Sequence, residues 1–327
     1  MCTVEELRLV PKIELHAHLN GCARISHITD LVTEPSDLPT RPPENAPPSQ
    51  YFEFMSAMSR ITSSPSNLRI VLDRILQDFE QDGVVYLELR SSPKHSDFMD
   101  KSQYIETIVS GMREYKGSMI ARYLVSIDQS KSLADMMENA QLAINYAKSS
   151  PFVVGVDLCG NFFSTNKAST LKVLKLCKDA GLKIACHIAE DEATFDQTSD
   201  ILHLIEPDRL GHATLIHPES KDGQFLREKN MMIECCITSN LMCKSVSCPK
   251  LHHFKSWRDL MHPVILCTDD SGTFDTTLSN EYLMAIESFS LSIKDLILMN
   301  INAIKWIFDD DVKDKLQGIF NSALNLR

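Results

Sequence analysis

His16 and His18 stand two residues apart in the apolar run LHAHLN, so on a strand both imidazoles fall on one face and can reach one ion. Three later runs carry matching chemistry: ACHIAE holds His187, RLGHAT holds His212, and VILCTDD holds Asp269 and Asp270. His16, His18, His187 and Asp269 together offer three nitrogens and an oxygen, a set suited to zinc with one position left open for water. Two histidines at this spacing are, taken alone, commoner as half-buried residues than as ligands. The metal reading rests on all four signals falling at the ends of successive apolar runs.

Groups lying between positions 16 and 270 meet only if the fold gathers them. Apolar, β-branched runs recur at 13–19, 84–90, 121–127, 153–158, 182–188, 209–215, 232–238 and 264–270. Helix-like segments fall between most of them, at 66–82, 102–116, 132–148, 167–180 and 219–229, with a weaker one at 252–262. This alternation predicts a parallel sheet with crossover helices, and eight strands predict a (β/α)8 TIM barrel forming a single domain over 1–327, with its active site at the C-terminal ends of the strands. A doubly wound open sheet normally announces itself by a glycine-rich phosphate turn, and neither GxGxxG nor GxxxxGK[ST] occurs. Six of the 14 prolines fall between Pro35 and Pro48, which predicts an irregular segment, either a loop over the barrel mouth or a ligand for a proline-recognition module. The stretch 280–327 reads as closing helices.

A chain that is 43% hydrophobic and 24% charged can bury a large core, which disfavours disorder. Its net charge of −11 and lack of a polybasic run argue against nucleic-acid or anionic-membrane partners, so an anionic substrate would need a local pocket. The N-terminus MCTVEELRLVPKIEL reads as neither signal peptide nor membrane anchor. Of ten cysteines, Cys22, Cys159, Cys186, Cys235, Cys236 and Cys267 lie in or beside strand-like runs, where the thiol acts as a small hydrophobe. A reducing, cytoplasmic setting and a monomer are expected.

LHAHLNG, the HIAE run with His187 and Glu190, RLGHAT, CITSN and CTDD together resemble the adenosine/AMP deaminase family of metal-dependent hydrolases over essentially the whole chain. Within it, LHAHLNG, YLELRSSP, VDLCG and HHF are similar to the members that act on N6-methyl-AMP. Zinc held by His16, His18, His187 and Asp269 would lower the pKa of a bound water toward ~7, and the hydroxide would attack C6 of a purine. His212 can orient that water and take its proton. Glu190, three residues beyond a ligand, is the candidate donor to N1. Asp269 and Asp270 on an extended strand would point in different directions, and the resemblance assigns Asp270 to purine N7. It also places Asp128 and His18 beside the substrate and the Gly160 backbone at N3, although Gly160 reads equally well as a turn glycine. The cysteine-rich deaminase class needs PCxxC, and no CxxC exists; a two-metal site needs a lysine ending the fourth strand, where VDLCGN has none. One zinc per chain is expected.

Adenosine deaminases carry Asp after the HxH motif, contacting the ribose 5′-hydroxyl, where this chain has Asn20. Two like charges ~4 Å apart at an effective dielectric of ~20 repel by about 4 kcal/mol, so Asp beside a 5′-phosphate is prohibitive and Asn is not. Phosphate donors are expected at Ser91, Ser92 and Lys94. The resemblance leads one to expect His at Ser59, and it gives no role to His252 and His253. The expected substrate is a small purine nucleotide, N6-methyl-AMP, converted to IMP and methylamine. The alternatives are adenosine deamination and a barrel that binds nucleotide without turnover; the second requires a missing ligand or Glu190, and none is missing.

Overall fold

The first strand, β1 (Lys12–His18), is buried along almost its whole length. Its odd-numbered residues, Ile13, Leu15 and Ala17, join the main apolar core, while Glu14 and His16, also fully buried, belong to the opposite face. The computed structural model describes residues 2–43, 46–160, 167–190 and 195–326. Seven more strands follow: β2 (Val84–Ser91), β3 (Ile120–Asp128), β4 (Val153–Cys159), β5 (Lys183–Ile188), β6 (Arg209–His212), β7 (Met232–Cys235) and β8 (Val264–Leu266). They pair in parallel in sequence order, and the seam from β8 back to β1 is stitched by a bridge between Ala17 and Asp269. There the His18 N–H donates to the Asp269 carbonyl at 3.0 Å and the Asp269 N–H to the His16 carbonyl at 2.8 Å. The seam therefore brings two histidines and a carboxylate to one point.

Crossover helices return the chain between strands, among them Pro65–Gln81, Lys101–Glu114, Leu133–Ser149, Lys167–Asp179 and Lys221–Lys229. Ser64, Asp100, Ser132 and Ser220 each accept a backbone N–H of the first turn, which explains where four of these helices begin. Helices Leu278–Phe289, Ile293–Ala303 and Lys313–Asn325 close the C-terminal region, and the Asn300 side chain accepts the Ile13 N–H at 2.7 Å.

Several elements depart from the sequence reading. The strands expected over 209–215, 232–238 and 264–270 end early, at His212, Cys235 and Leu266, because the chain turns out of the ladder there. His212, Ala213 and Asp269 take left-handed backbone, with φ of 59°, 53° and 60°. Asp269 and Asp270 therefore do not continue an extended strand. The proline segment holds a 3-10 turn at Pro35–Asp37 and then starts a helix, Pro48–Ile61, that the prolines had masked; Pro at a first helical position is compatible with the helix. A helix over Phe195–Ile205 also went unforeseen, and the one expected at 252–262 shortens to Phe254–Asp259.

Candidate active site

His16 and His18 leave β1 on the same side, and His187 reaches them from β5. His187 Nε2 lies 3.1 Å from His16 Nε2 and 3.0 Å from His18 Nε2. Asp269 Oδ1 is 3.3 Å from both of those β1 nitrogens. Separations of 3.0–3.3 Å are those of donors that could converge on one ion, so three imidazoles and a carboxylate placed this way fit zinc. His212 belongs to the same cluster but stands further out, its Nε2 3.8 Å from Asp269 Oδ2 and 3.7 Å from Glu190 Oε1. That places it between the cluster and the acid rather than among the four convergent donors.

Behind the donors lies a buried ionic frame. His16 Nδ1 meets Glu234 Oε2 at 2.8 Å, and His187 Nδ1 faces the Leu158 carbonyl at 2.8 Å and Asp157 Oδ1 at 3.1 Å. Ser239 Oγ donates to Asp269 Oδ2 at 2.6 Å. Arg90, fully buried, spans Asp157 and Glu234 at 2.9 Å each, and Arg209 joins Glu234 to Glu88. Partners of this kind fix the ring orientation and tautomer of a metal-binding histidine. Sequence reasoning missed Glu88, Arg90, Asp157, Arg209, Glu234 and Ser239, although a charge inside a run such as MIEC or VYLELR was the available signal. Gly211 also matters, since a Cβ there would sit 2.7 Å from His16 Cε1.

The electrostatics follow from burial and crowding. Against burial and the Arg90 charge, hydrogen bonds to Asp269 and Glu234 raise His16 to about 9, whereas burial pushes His18 down to about 3. Burial favours the neutral form of Asp269, but the hydrogen bond and charge of His16 overcome it and hold the carboxyl well below the usual range. Asp270 goes the other way: burial, then the charge of Asp269, raises it far above an ordinary carboxylate. Its Oδ1 is buried without a hydrogen-bond partner among the described residues.

His18, His187, His212, Asp269 and Asp270 line one cavity of about 630 Å³ that also takes in Asn20, Ser59, Ser91, Ser92, Lys94, Asp128, Gly160 and Glu190. Of the site residues expected from sequence, all but His16, which is fully buried behind the cavity wall, line this space. Tyr51, Phe52, Met55 and Ser56 from helix Pro48–Ile61 line its wall, so the segment at the mouth is a helix as well as a loop. Asn20 Oδ1 accepts from Thr62 Oγ1 at 2.9 Å. Ser91 Oγ sits between the hydroxyls of Tyr104 and Tyr123, at 3.1 and 3.0 Å, and the Lys94 ammonium is held by the Ser59 carbonyl and hydroxyl. Burial lowers Lys94 to about 8. Ser59 thus orients the lysine where a histidine had been expected. Gly160 has φ +105°, and a Cβ there would lie 1.9 Å from Asp128 Oδ1, which accounts for the glycine before any ligand is considered. Asp128 Oδ1 is itself held by the Ser130 N–H and hydroxyl.

Residues 11–320 match the family model described as Adenosine deaminase. An N6-methyl-AMP deaminase of Danio rerio is 34% identical, covering 95% of this chain and 94% of that protein. Among solved structures, an ADAL–IMP complex superposes with a TM-score of 0.92 at 32% identity, covering 99% of this chain and 100% of the other. An Arabidopsis ADAL complexed with GMP gives 0.91 at 32% identity, with the same coverage.

Proposed function

The chain belongs to the adenosine deaminase family, and from that premise we propose that it hydrolyses N6-methyl-AMP to IMP and methylamine, using one zinc ion held by His16, His18, His187 and Asp269. The observation that carries the substrate is the position of Asn20: an uncharged amide shares the cavity with Ser91, Ser92 and the Lys94 ammonium. The similarity to proteins solved with IMP and GMP supports the same reading, since both ligands are nucleoside monophosphates.

Zinc in this donor set supplies Lewis acidity that brings the ionisation of water toward neutral pH. The protein's own groups do the rest. Glu190, beside His212, passes a proton to N1 as an oxygen adds to C6, and is reprotonated by the proton that water gives up; the hydroxyl proton then leaves with the amine. His212 orients the attacking oxygen. Asp270, neutral because it is buried next to Asp269, can donate to N7, which only accepts. Gly160 and Asp128 border the purine and ribose side of the cavity. Lys94 offers phosphate an ammonium that no carboxylate neutralises among its described hydrogen bonds.

A single domain, a monomer and a cytoplasmic setting belong to the same proposal; among the described residues no helix is long and apolar enough to cross a membrane. Turnover of N6-methyl-AMP, AMP, N6-methyladenosine and adenosine, followed by ultraviolet absorbance, tests the substrate. The methylated nucleotide is expected to lead by at least ~100-fold in kcat/KM over either nucleoside. Equal use of nucleoside and nucleotide would overturn the reading.

A further inference from the structure

His252 and His253, which the family resemblance left without a role, both act on His212. Phe254 opens the short helix Phe254–Asp259, and its backbone N–H donates to His252 Nδ1 at 3.1 Å. An N–H of the main chain can neither rotate nor ionise, so His252 Nδ1 must be a lone pair and its proton must sit on Nε2. Nε2 faces Asn240 Oδ1 at 2.9 Å, which turns the Asn240 NH2 the other way, toward His212 Nδ1 at 3.2 Å. An NH2 can only donate. His212 Nδ1 is therefore the acceptor and its proton lies on Nε2, the nitrogen that looks into the site. Burial also keeps His252 neutral, and His212, Asn240 and His252 are each no more than 1% exposed, so water does not enter the series as a competing partner.

His253 secures the backbone of the same residue. It faces the His212 carbonyl through Nε2 at 2.7 Å, which makes it a donor there. His212 is a non-glycine residue at φ 59°, a conformation that persists only where its surroundings hold it.

We propose that Asn240 and His252 are positioning residues that present His212 to the reaction as a hydrogen-bond donor at Nε2, while His253 fixes the strained backbone from which it projects. The proposal refines the role of His212 within the deaminase reading. In the resting site His212 aims its N–H at the space shared with Glu190 and Asp269, and an oxygen there is oriented by a donor. The reverse tautomer would set His212 Nδ1–H against the Asn240 NH2. Flipping the amide only moves that conflict to His252, and flipping both moves it to the Phe254 N–H.

Long-range 1H–15N NMR on histidine-labelled, zinc-loaded protein reads the tautomer directly, with His212 assigned by its loss in His212→Gln. Unmodified protein is expected to show His212 protonated on Nε2 and bare on Nδ1. Asn240→Asp, which replaces the donor by an acceptor, should move the proton to Nδ1 and lower kcat by at least ~30-fold, with KM within ~3-fold and zinc retained. His252→Phe removes the anchor and should cost about 10-fold in kcat, whereas His252→Gln, which keeps a donor toward Asn240, should stay within ~3-fold. An Nδ1–H His212 in the unmodified protein overturns the proposal even if no variant folds. So does an Asn240→Asp protein whose tautomer switches without loss of kcat, or a His252→Phe protein unchanged in both readouts. The spectrum needs no substrate, so an error in the substrate assignment would appear in the turnover panel and leave this result standing.

Discussion

Glu190 and Asn20 each separate one idea from its rivals. Glu190 is partly exposed at the cavity wall, 3.7 Å from His212, where a carboxyl can meet a purine ring edge. Glu190→Gln keeps shape and hydrogen bonding but cannot pass a proton, so kcat should fall by at least ~100-fold with one zinc still bound, measured by steady-state turnover and elemental analysis on the same sample. Near-normal turnover would remove Glu190 from the mechanism. Asn20 tests the phosphate. Its Oδ1 accepts from Thr62, and Asn20→Asp would place a carboxylate in the same cavity as Ser91, Ser92 and Lys94. A penalty of several kcal/mol before solvent screening is expected for the nucleotide dianion and much less for the nucleoside. The comparison is the ratio of kcat/KM for N6-methyl-AMP to that for N6-methyladenosine, which should drop by at least ~10-fold. A variant that loses both substrates alike would leave the phosphate contacts without support.

The strand ends show what the sequence could and could not reveal about this site. His16, His18, His187, His212 and Asp269 were legible because each polar residue interrupts or ends an apolar run, and such positions at the mouth of a parallel barrel converge. Their backbones were not legible: β6 and β8 stop at His212 and Leu266, and the left-handed φ of His212 and Asp269 re-aims both side chains. Helix Pro48–Ile61 was hidden because a proline-rich approach looks irregular whether or not a helix follows it. The frame of Arg90, Asp157, Arg209 and Glu234 depends on contacts across the barrel, among β2, β4, β6 and β7, which no local pattern encodes. Gly211 belongs to that hidden level. On β6, opposite His16, an added Cβ would stand 2.7 Å from Cε1, closer than real side chains approach, so the ring or the strand must move. Gly211→Ala should weaken zinc binding by ~10-fold or more, the scale of losses seen when a ligand's supporting partner is changed. Competition against a chelator would measure it, and unchanged affinity would mean that β6 yields while His16 stays in place.

At the scale of the whole molecule, the barrel encloses charge where many cores enclose hydrocarbon. Glu14, His16, Glu88, Arg90, Asp157, Arg209 and Glu234 are all 0% exposed, so the interior is stable only while each charge keeps its partner. Acid should therefore act on this fold through more than its catalytic site, and His262 isolates one such contribution away from it. His262 Nε2 donates to the Met231 carbonyl at 2.6 Å, its ring lies 4.7 Å from that of Trp257, and burial lowers its pKa from 6.5 to about 4. A histidine whose folded pKa is depressed stays neutral in the native state while the unfolded chain takes up a proton. Its contribution is thus intact above pH 6.5 and is lost progressively as pH falls toward 4. Linkage puts the loss at about 2 kcal/mol by pH 5 for a shift of this size. His262→Gln keeps a donor for the Met231 carbonyl but cannot be protonated in either state. Denaturant midpoints at pH 7.5 and pH 5, with zinc in excess, should fall for both proteins, because the metal site and the other buried groups are common to them. The fall should be smaller by about 2 kcal/mol in His262→Gln, and equal falls would show that His262 is solvated enough to titrate normally in the folded barrel.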